Sequence, residues 1–270
     1  ALVTDSGRDL ANAWAVGHGG PYPAYGPSLF GHWKLGPVWF WILALPLRFV
    51  GSITAASLFV GLLAAAKIPL AYGLGRRMVD CRFGVIAAIL IALPGWDSEG
   101  TLVLAHTSVV ETTVLATFWL ALAAWQTQRA GFAVAASLML ALALHAHPTT
   151  LIAAPAVALA LWRAVLLPRR WLWLLACVAV FVLPFLPALV AEARDGFPQL
   201  ASTASYLHES APGARLARVP QVLWALVSGG AWFANRYLLP APMASVWWLG
   251  HSILVGLALV GGLRLALGPR

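Results

Sequence analysis

The stretch that decides the fold class is residues 171–190, which read WLWLLACVAVFVLPFLPALV and contain no charged side chain. About twenty apolar residues are enough for a helix to cross the hydrocarbon core of a bilayer. Similar runs occur at about 54–74, from 83 to about 94, and at 109–126, 130–147, 149–166 and 245–263. They are continuous and do not alternate with a period of two, which favours helices over barrel strands. The sequence therefore predicts an all-α, polytopic transmembrane bundle with about seven spans.

The composition and charge support a membrane protein. Of the 270 residues, 61% are hydrophobic and 10% are charged, whereas a soluble domain is about 25% charged. The net charge of +8 does not indicate nucleic-acid binding, because 15 of the 17 basic residues are Arg and most lie between apolar runs. In a membrane protein that pattern is a topology signal. The two cysteines predict no disulfide framework.

The arginines predict an orientation. Loops at 75–82, 127–130 and 163–170 and the tail at 264–270 contain nine Arg, which places these loops in the cytoplasm. Parity then requires 221–240 to be interfacial or re-entrant, and only Asp80 of the nine acids lies inside. The outer face, where we expect the chemistry, carries the other eight: Asp5, Asp9, Asp97, Glu99, Glu111, Glu192, Asp195 and Glu209.

We expect two parts in the chain. Residues 1–53 form an extracytoplasmic loop, with a short helix from Ser6 to about Val16 and an interfacial helix at 37–50. Residues 54–267 form the helix bundle, with outer loops near 96–108 and 191–244. The chain opens on a polar segment and closes just after an apolar run, so we expect it to be a fragment lacking a first helix and a C-terminal part.

The first loop carries the residues that point to a family. It reads TDSGRDLANAW over residues 4–14 and GHWKLGP over residues 31–37, and an aromatic-rich apolar helix follows. This resembles the first extracytoplasmic loop of GT-C glycosyltransferases, closest to the protein O-mannosyltransferase and lipid A aminoarabinose transferase group. The resemblance continues less specifically to about residue 210, through Glu111 and the stretch LPFLP at 183–187.

The resemblance implies a membrane glycosyltransferase of the cell envelope. Such an enzyme takes a sugar from a polyprenyl-phosphate carrier and transfers it to an acceptor hydroxyl of a lipid, glycan or protein. The site would face outward from the bacterial inner (plasma) membrane. The sugar, the acceptor and the oligomeric state stay open, as does metal dependence, with a divalent cation as the candidate cofactor.

The resemblance also assigns residue roles. Asp5 matches the family's first acid, the base that deprotonates the acceptor, whereas Ser6 stands where relatives carry a second acid. Glu111 matches the acid of the second outer loop, as the other catalytic candidate. The predicted substrate-binding residues are those that match the family's cations and histidines, together with the acid one turn after Asp5: Arg8, Asp9, His32, Lys34 and His208.

Structural roles compete with these functional ones. Asp5 could simply cap the helix that follows it, and Asp9 could be solvated or paired with Arg8. Glu111 opens an apolar span, where a carboxylate is costly unless it is used or paired. Lys67 is expected to snorkel toward Arg76.

Two other functional classes stay open. A non-catalytic lipid-binding or scaffold relative fits the Ser at position 6. A transporter is disfavoured, because the acids lie near one face and not at several depths. Most tryptophans are expected in the lipid belt, with a sugar or carrier contact considered for Trp14, Trp33 and Trp39.

Overall fold

The structure is a computed structural model that describes residues 4–29, 33–92 and 104–209. Its elements up to Thr203 form one compact unit, and the second unit, Ala204–Arg270, contributes only the end of one helix to the described residues. The α-helices are α1 (Thr4–Gly17), α2 (Val38–Val50), α3 (Ile53–Ala65), α4 (Lys67–Met78), α5 (Cys81–Ala92), α6 (Val110–Thr127), α7 (Ala130–Ala146), α8 (Ala154–Val165), α9 (Arg170–Val182), α10 (Leu186–Asp195) and α11 (Pro198–Glu209).

Three short 3-10 segments and one small ribbon complete the described fold. The 3-10 segments are His106–Val109, Pro148–Ala153 and Leu183–Phe185, and each leads directly into an α-helix. The strands β1 (Ser28–Leu29) and β2 (Trp33–Lys34) pair antiparallel, with Ser28 opposite Lys34. The all-α prediction therefore holds for the bundle, whereas the first loop also contains this ribbon.

Helix α1 confirms the helix predicted from Ser6 to Val16. It ends where Gly19 takes a left-handed conformation, with φ of 84°, and the amide of Gly20 donates to the carbonyl of Ala15. Arg48 Nη1 donates to the carbonyl of Gly17 at 2.8 Å. This carbonyl is at the end of the helix, where it has no hydrogen-bond donor within the helix itself. α1 packs on α2 through an apolar cluster that includes Leu10, Ala13, Val16, Phe40, Leu43 and Leu47.

Helices α3 and α4 form one long apolar segment, Ile53–Met78, with an irregular turn at Ala66. Pro69 accounts for the irregularity, because a proline cannot donate to the carbonyl four residues earlier. The hydroxyl of Thr112 in α6 donates to the carbonyls of Leu63 and Ala64, at 2.8 and 3.1 Å. At the other end of this segment, Gly75 lies so close to Gly84 of α5 that an added methyl group would meet its Cα.

Small residues form the contact between helices α6, α7 and α8. Buried alanines from all three helices, together with Cys177 of α9, make one apolar cluster. Close approach through small side chains is typical of helix packing in membranes. Large apolar side chains such as Trp171, Leu175 and Val178 instead lie exposed on α9, where they would contact lipid.

Four helical segments of the described chain are long and apolar enough to cross a membrane. They are Ile53–Met78, His106–Thr127, Pro148–Val165 and Arg170–Asp195. Helices α2, α5 and α7 are apolar but shorter. The structure therefore indicates a membrane protein, and these segments fall on the predicted runs. The expected span at 245–263 and the segment 221–240 lie outside the described residues.

Contacts between helices place the arginines of the predicted cytoplasmic loops at one end of the bundle. Arg77 Nη1 of α4 donates to Gln126 Oε1 of α6 at 3.2 Å, and the guanidinium of Arg163 in α8 lies over the ring of Trp125 in α6. The turns that carry Arg129 and Arg169 adjoin the same helix ends. We call this the arginine-rich end of the bundle.

Candidate functional site

The predicted site residues fall into three groups in the structure. Arg8 and Asp9 lie together on α1, Lys34 lies in the ribbon, and Glu111 lies in the first turn of α6. Asp5 lies in the first turn of α1, but its side chain is outside the described residues, as is that of His208 in α11. His32 lies outside the described residues altogether, as do Asp97 and Glu99.

Asp9 is fully buried and bonded on both carboxylate oxygens. Oδ1 accepts from Arg8 Nε at 3.1 Å and from Arg8 Nη2 at 2.9 Å, which is the charge-assisted pairing expected of a guanidinium. Oδ2 accepts from the indole Nε1 of Trp39 at 2.9 Å. The carboxylate therefore attaches α1 to α2 and is paired, not solvated.

Two further polar side chains lie in the same buried region. His106 Nδ1 lies 3.8 Å from Asp9 Oδ2, and neither ring nitrogen of His106 has a hydrogen-bond partner among the described residues. The buried hydroxyl of Ser6 likewise has none there. His106, three residues after the undescribed segment 93–103, was not among the predicted site residues, because no recognisable motif surrounds it in the sequence.

Removing the Asp9 carboxylate should destabilise the contact between α1 and α2. We expect Asp9→Ala to lower the free energy of unfolding by roughly 1–3 kcal/mol, because the buried indole N–H of Trp39 loses its acceptor. Asp9→Asn keeps the volume and one acceptor oxygen, so it should cost less and serves as the matched control. Thermal unfolding in detergent, followed by tryptophan fluorescence, measures both variants. Wild-type stability in Asp9→Ala would show that the pairing contributes nothing.

Lys34 belongs to a second group, which joins the first loop to the end of α10. Its Nζ lies 4.6 Å from the centroid of the Tyr25 ring, and its backbone N–H donates to Gln199 Oε1 at 2.7 Å. The hydroxyl of Tyr25 donates to Glu192 Oε1 at 2.8 Å. Burial, and then the hydrogen bond to this carboxylate, raise the pKa of Tyr25 to about 12, so the phenol stays protonated at neutral pH.

Glu192 is the centre of this second group. Its carboxylate accepts from Tyr25, from the backbone N–H of Gln199 at 3.1 Å and from Gln199 Nε2 at 3.1 Å. These three donors disperse its negative charge while it remains largely buried. The sequence placed Glu192 on the outer face as one acid among eight, and nothing in it indicated Tyr25 or Gln199.

A cavity of about 360 Å³ opens beside this group. Lys34, Glu192 and Gln199 lie at its polar side. The rest of its wall is apolar and comes from the segment before α2, from α7, from the 3-10 segment Leu183–Phe185 and from α10, with Leu35, Leu144, Phe185, Ala188 and Leu189 among its members. A cation at the rim of an apolar cavity suits a molecule with an anionic head and a hydrocarbon tail.

Glu111 is paired with Lys67 and not free in lipid. Lys67 Nζ lies 2.9 Å from Glu111 Oε2, and the Lys67 side chain is 11% exposed. Because Thr112 bonds Leu63 and Ala64, Glu111 lies on the side of Lys67 that faces away from Arg76. The prediction that Lys67 snorkels toward Arg76 is therefore wrong: the ammonium group turns the other way, to a carboxylate.

A close backbone approach connects α7 to the segment between Lys34 and Trp39. The imidazole of His145 packs so tightly on Gly36 that a methyl group there would overlap the ring, and Phe185 covers another side at 4.2 Å between centroids. His145, Trp39 and Thr112 also line a smaller apolar cavity of about 160 Å³. The short segment 34–39 thus touches the Lys34 cavity, the smaller cavity and, through Trp39, Asp9.

The tryptophans considered for a sugar contact differ in access. Trp39 is buried from solvent, is bonded to Asp9 and borders the smaller apolar cavity. Trp14 is 46% exposed and stacks on His18, with centroids 4.0 Å apart. The side chain of Trp33 lies outside the described residues. Within the described residues, no three His, Cys, Asp or Glu side chains come together as a metal site would need.

Comparisons of the chain with protein-family models, with curated proteins and with solved structures give no match. The resemblance of the first loop to GT-C glycosyltransferases therefore stays a prediction that rests on its own residues.

Proposed function

We propose that the chain is a membrane glycosyltransferase of the GT-C type, which moves a sugar from a polyprenyl-phosphate carrier to an acceptor hydroxyl. The observation that carries the proposal is the amphipathic cavity with Lys34 at its rim. Its chemistry suits a lipid phosphate, and the first-loop sequence suits the enzyme class. Segment 34–39 links this cavity to α1, the helix that carries Asp5.

The donor would bind with its phosphate toward the ammonium group of Lys34 and its prenyl chain along the apolar wall. Glu192 is an anion in the same wall, and its three hydrogen-bond donors reduce its repulsion of the phosphate. Arg8 is a weaker candidate for the phosphate than Lys34, because its guanidinium already bonds Asp9.

In the transfer step, Asp5 would take the proton from the acceptor hydroxyl. The acceptor oxygen forms a bond to the anomeric carbon while the bond from that carbon to the carrier phosphate breaks. The phosphate leaves with the electron pair, and Lys34 stabilises the charge that develops on it. Glu111 is the second carboxylate candidate, although its ion pair with Lys67 gives it a structural role as well.

The first test is transfer itself. Purified protein in detergent is incubated with labelled polyprenyl-phosphate sugars and with lipid, glycan and peptide acceptors in separate reactions. We expect label to move to one acceptor class and free polyprenyl phosphate to appear in equal amount. Tight donor binding without transfer in any reaction would favour the alternative, a non-catalytic lipid-binding relative.

Lys34→Ala should weaken donor binding by roughly tenfold or more, since a charge-assisted contact contributes about 1.5–3 kcal/mol. Because Lys34 is exposed, the variant should fold normally. Arg82→Ala removes an exposed cation from the first turn of α5 and is the control, with donor affinity unchanged. Titration with a fluorescent polyprenyl phosphate measures both variants. Equal affinity in Lys34→Ala and wild type would remove Lys34 from the donor site.

A further inference from the structure

An apolar groove lies at the arginine-rich end of the bundle, between α4, α6 and α8. Its volume is about 350 Å³, which is in the range of ligand pockets. Leu74 and Met78 form one wall, Leu159 forms the opposite wall, and Phe118, Leu122 and Trp125 form the floor. Met78 and Leu159 are about half exposed, so the groove opens on the surface that faces lipid.

The groove is separate from the cavity beside Lys34. The helical segment Pro148–Val165 contributes to both sites, but Pro148 at its start lines the Lys34 cavity, whereas Ala156 and Leu159, eight and eleven residues further on, line the groove. The two sites therefore lie toward opposite ends of this segment, and the inference below does not depend on the proposed function.

One guanidinium group lies against the groove floor, and a second lies at the same end of the bundle. The Cζ of Arg163 is 4.0 Å from the centroid of the Trp125 ring, which belongs to the groove floor. The Cζ of Arg77, next to Met78 in the chain, is 4.8 Å from the centroid of Trp119. Stacking on an aromatic face fixes a guanidinium and leaves its N–H donors at the edge available.

Neither arginine is neutralised within the described part of the chain. No ion pair joins Arg163 or Arg77 to a carboxylate there, and the buried Nε of Arg163 has no hydrogen-bond partner among those residues. Arg129, Arg169 and Arg170 add further positive charge at the same helix ends. An occupant of the groove would thus meet apolar side chains along its length and cations at its end.

We infer that the groove binds an anionic phospholipid, with one acyl chain along the apolar floor and the headgroup phosphate on Arg163. The planar guanidinium matches two phosphate oxygens at once. A zwitterionic lipid would place an ammonium group among the arginines, whereas an anionic lipid would not, so charge complementarity selects the anionic class.

Quenching of tryptophan fluorescence by brominated lipids tests this inference directly, because Trp125 lies in the groove floor. The full chain is titrated in detergent with phosphatidylglycerol or phosphatidylcholine, each brominated on its acyl chains. The difference between wild type and Trp125→Phe isolates the contribution of Trp125. We expect about fivefold tighter binding of phosphatidylglycerol, since one arginine near an anionic headgroup contributes about 1 kcal/mol.

Three variants test whether Arg163 causes the preference for phosphatidylglycerol. Arg163→Gln should remove it, Arg163→Lys, which keeps the charge but not the two-donor fork, should keep part of it, and Arg194→Gln, which neutralises an exposed cation on α10, should leave it unchanged. Ala156→Phe places a ring in the groove and should abolish quenching of Trp125 by either lipid. Equal binding of the two lipids by wild type would overturn the inference. A preference for phosphatidylglycerol that survives Arg163→Gln would also overturn it. The same holds for a preference that Arg163→Lys removes as completely as Arg163→Gln does.

Discussion

Asp5→Asn should lower the transfer rate by at least about a hundredfold while donor affinity and folding stay intact. A positioned carboxylate that accepts the proton of an acceptor hydroxyl contributes about 10²–10⁴-fold. Asn keeps the size of the side chain and most of its hydrogen bonding but removes the basicity. The rate of sugar transfer at saturating donor, measured beside donor affinity, separates chemistry from binding.

The structural alternative for Asp5 predicts a much smaller effect. α1 begins at Thr4, so Asp5 lies in the first turn, where a negative charge interacts favourably with the helix dipole. Losing that interaction costs about 0.3–1 kcal/mol of stability and should not change the rate. Asp195→Asn, which neutralises an exposed acid at the end of α10, is the control with normal transfer. If Asp5→Asn keeps most of its rate, Glu111 becomes the next carboxylate to test.

Gly36→Ala should destabilise the protein by at least about 3 kcal/mol. The added methyl group would overlap the imidazole of His145, which is 1% exposed and held against Phe185. Overpacking a close-packed interior typically costs about 1–3 kcal/mol, and more where the neighbour cannot move. Thermal unfolding in detergent measures the loss.

A double variant distinguishes this overlap from a backbone effect. Gly36→Ala combined with His145→Ala removes the ring that the methyl group meets, so the pair should be more stable than the sum of the two single changes predicts. Gly7→Ala is the control, because a methyl group at Gly7 would meet no atom within 4 Å and α1 favours Ala over Gly. If the stability losses of the two single variants simply add in the double variant, Gly36→Ala acts on the backbone at position 36 and not through the overlap with His145.

The helices of the bundle could be predicted because the length of an apolar run and the arginines that flank it are both local features of the sequence. The run at 171–190 falls within the observed segment Arg170–Asp195, and α1 ends at Gly17, close to the predicted end at Val16. The irregular turn at Ala66 has a local cause in Pro69 but leaves the segment continuous, so the sequence showed it only as one run.

Contacts within the candidate site could be predicted only between residues that are neighbours in the chain. Tyr25 and Glu192 are bonded across 167 positions, and no pattern along one sequence encodes such a pairing. Arg8 and Asp9 are neighbours, so their ion pair was one of the alternatives, but the burial of Asp9 depends on Trp39, which lies in another helix. The contact of His145 with Gly36 could not be predicted, because a glycine carries no side chain to suggest it.

The ion pair between Lys67 and Glu111 bears on how the protein enters the membrane. Its members belong to two different apolar segments, Ile53–Met78 and His106–Thr127. Without its partner, Lys67, near the middle of its segment, would bring a charge into hydrocarbon, at about 2.5–3.5 kcal/mol on insertion scales for the helix centre. Glu111 lies nearer the end of its segment, in the first turn of α6, and would cost less. Side by side, the two helices lower that cost for each other. We therefore expect integration of the later segment during biosynthesis to depend on the presence of the earlier one, because loss of either charge would leave its partner without compensation during insertion.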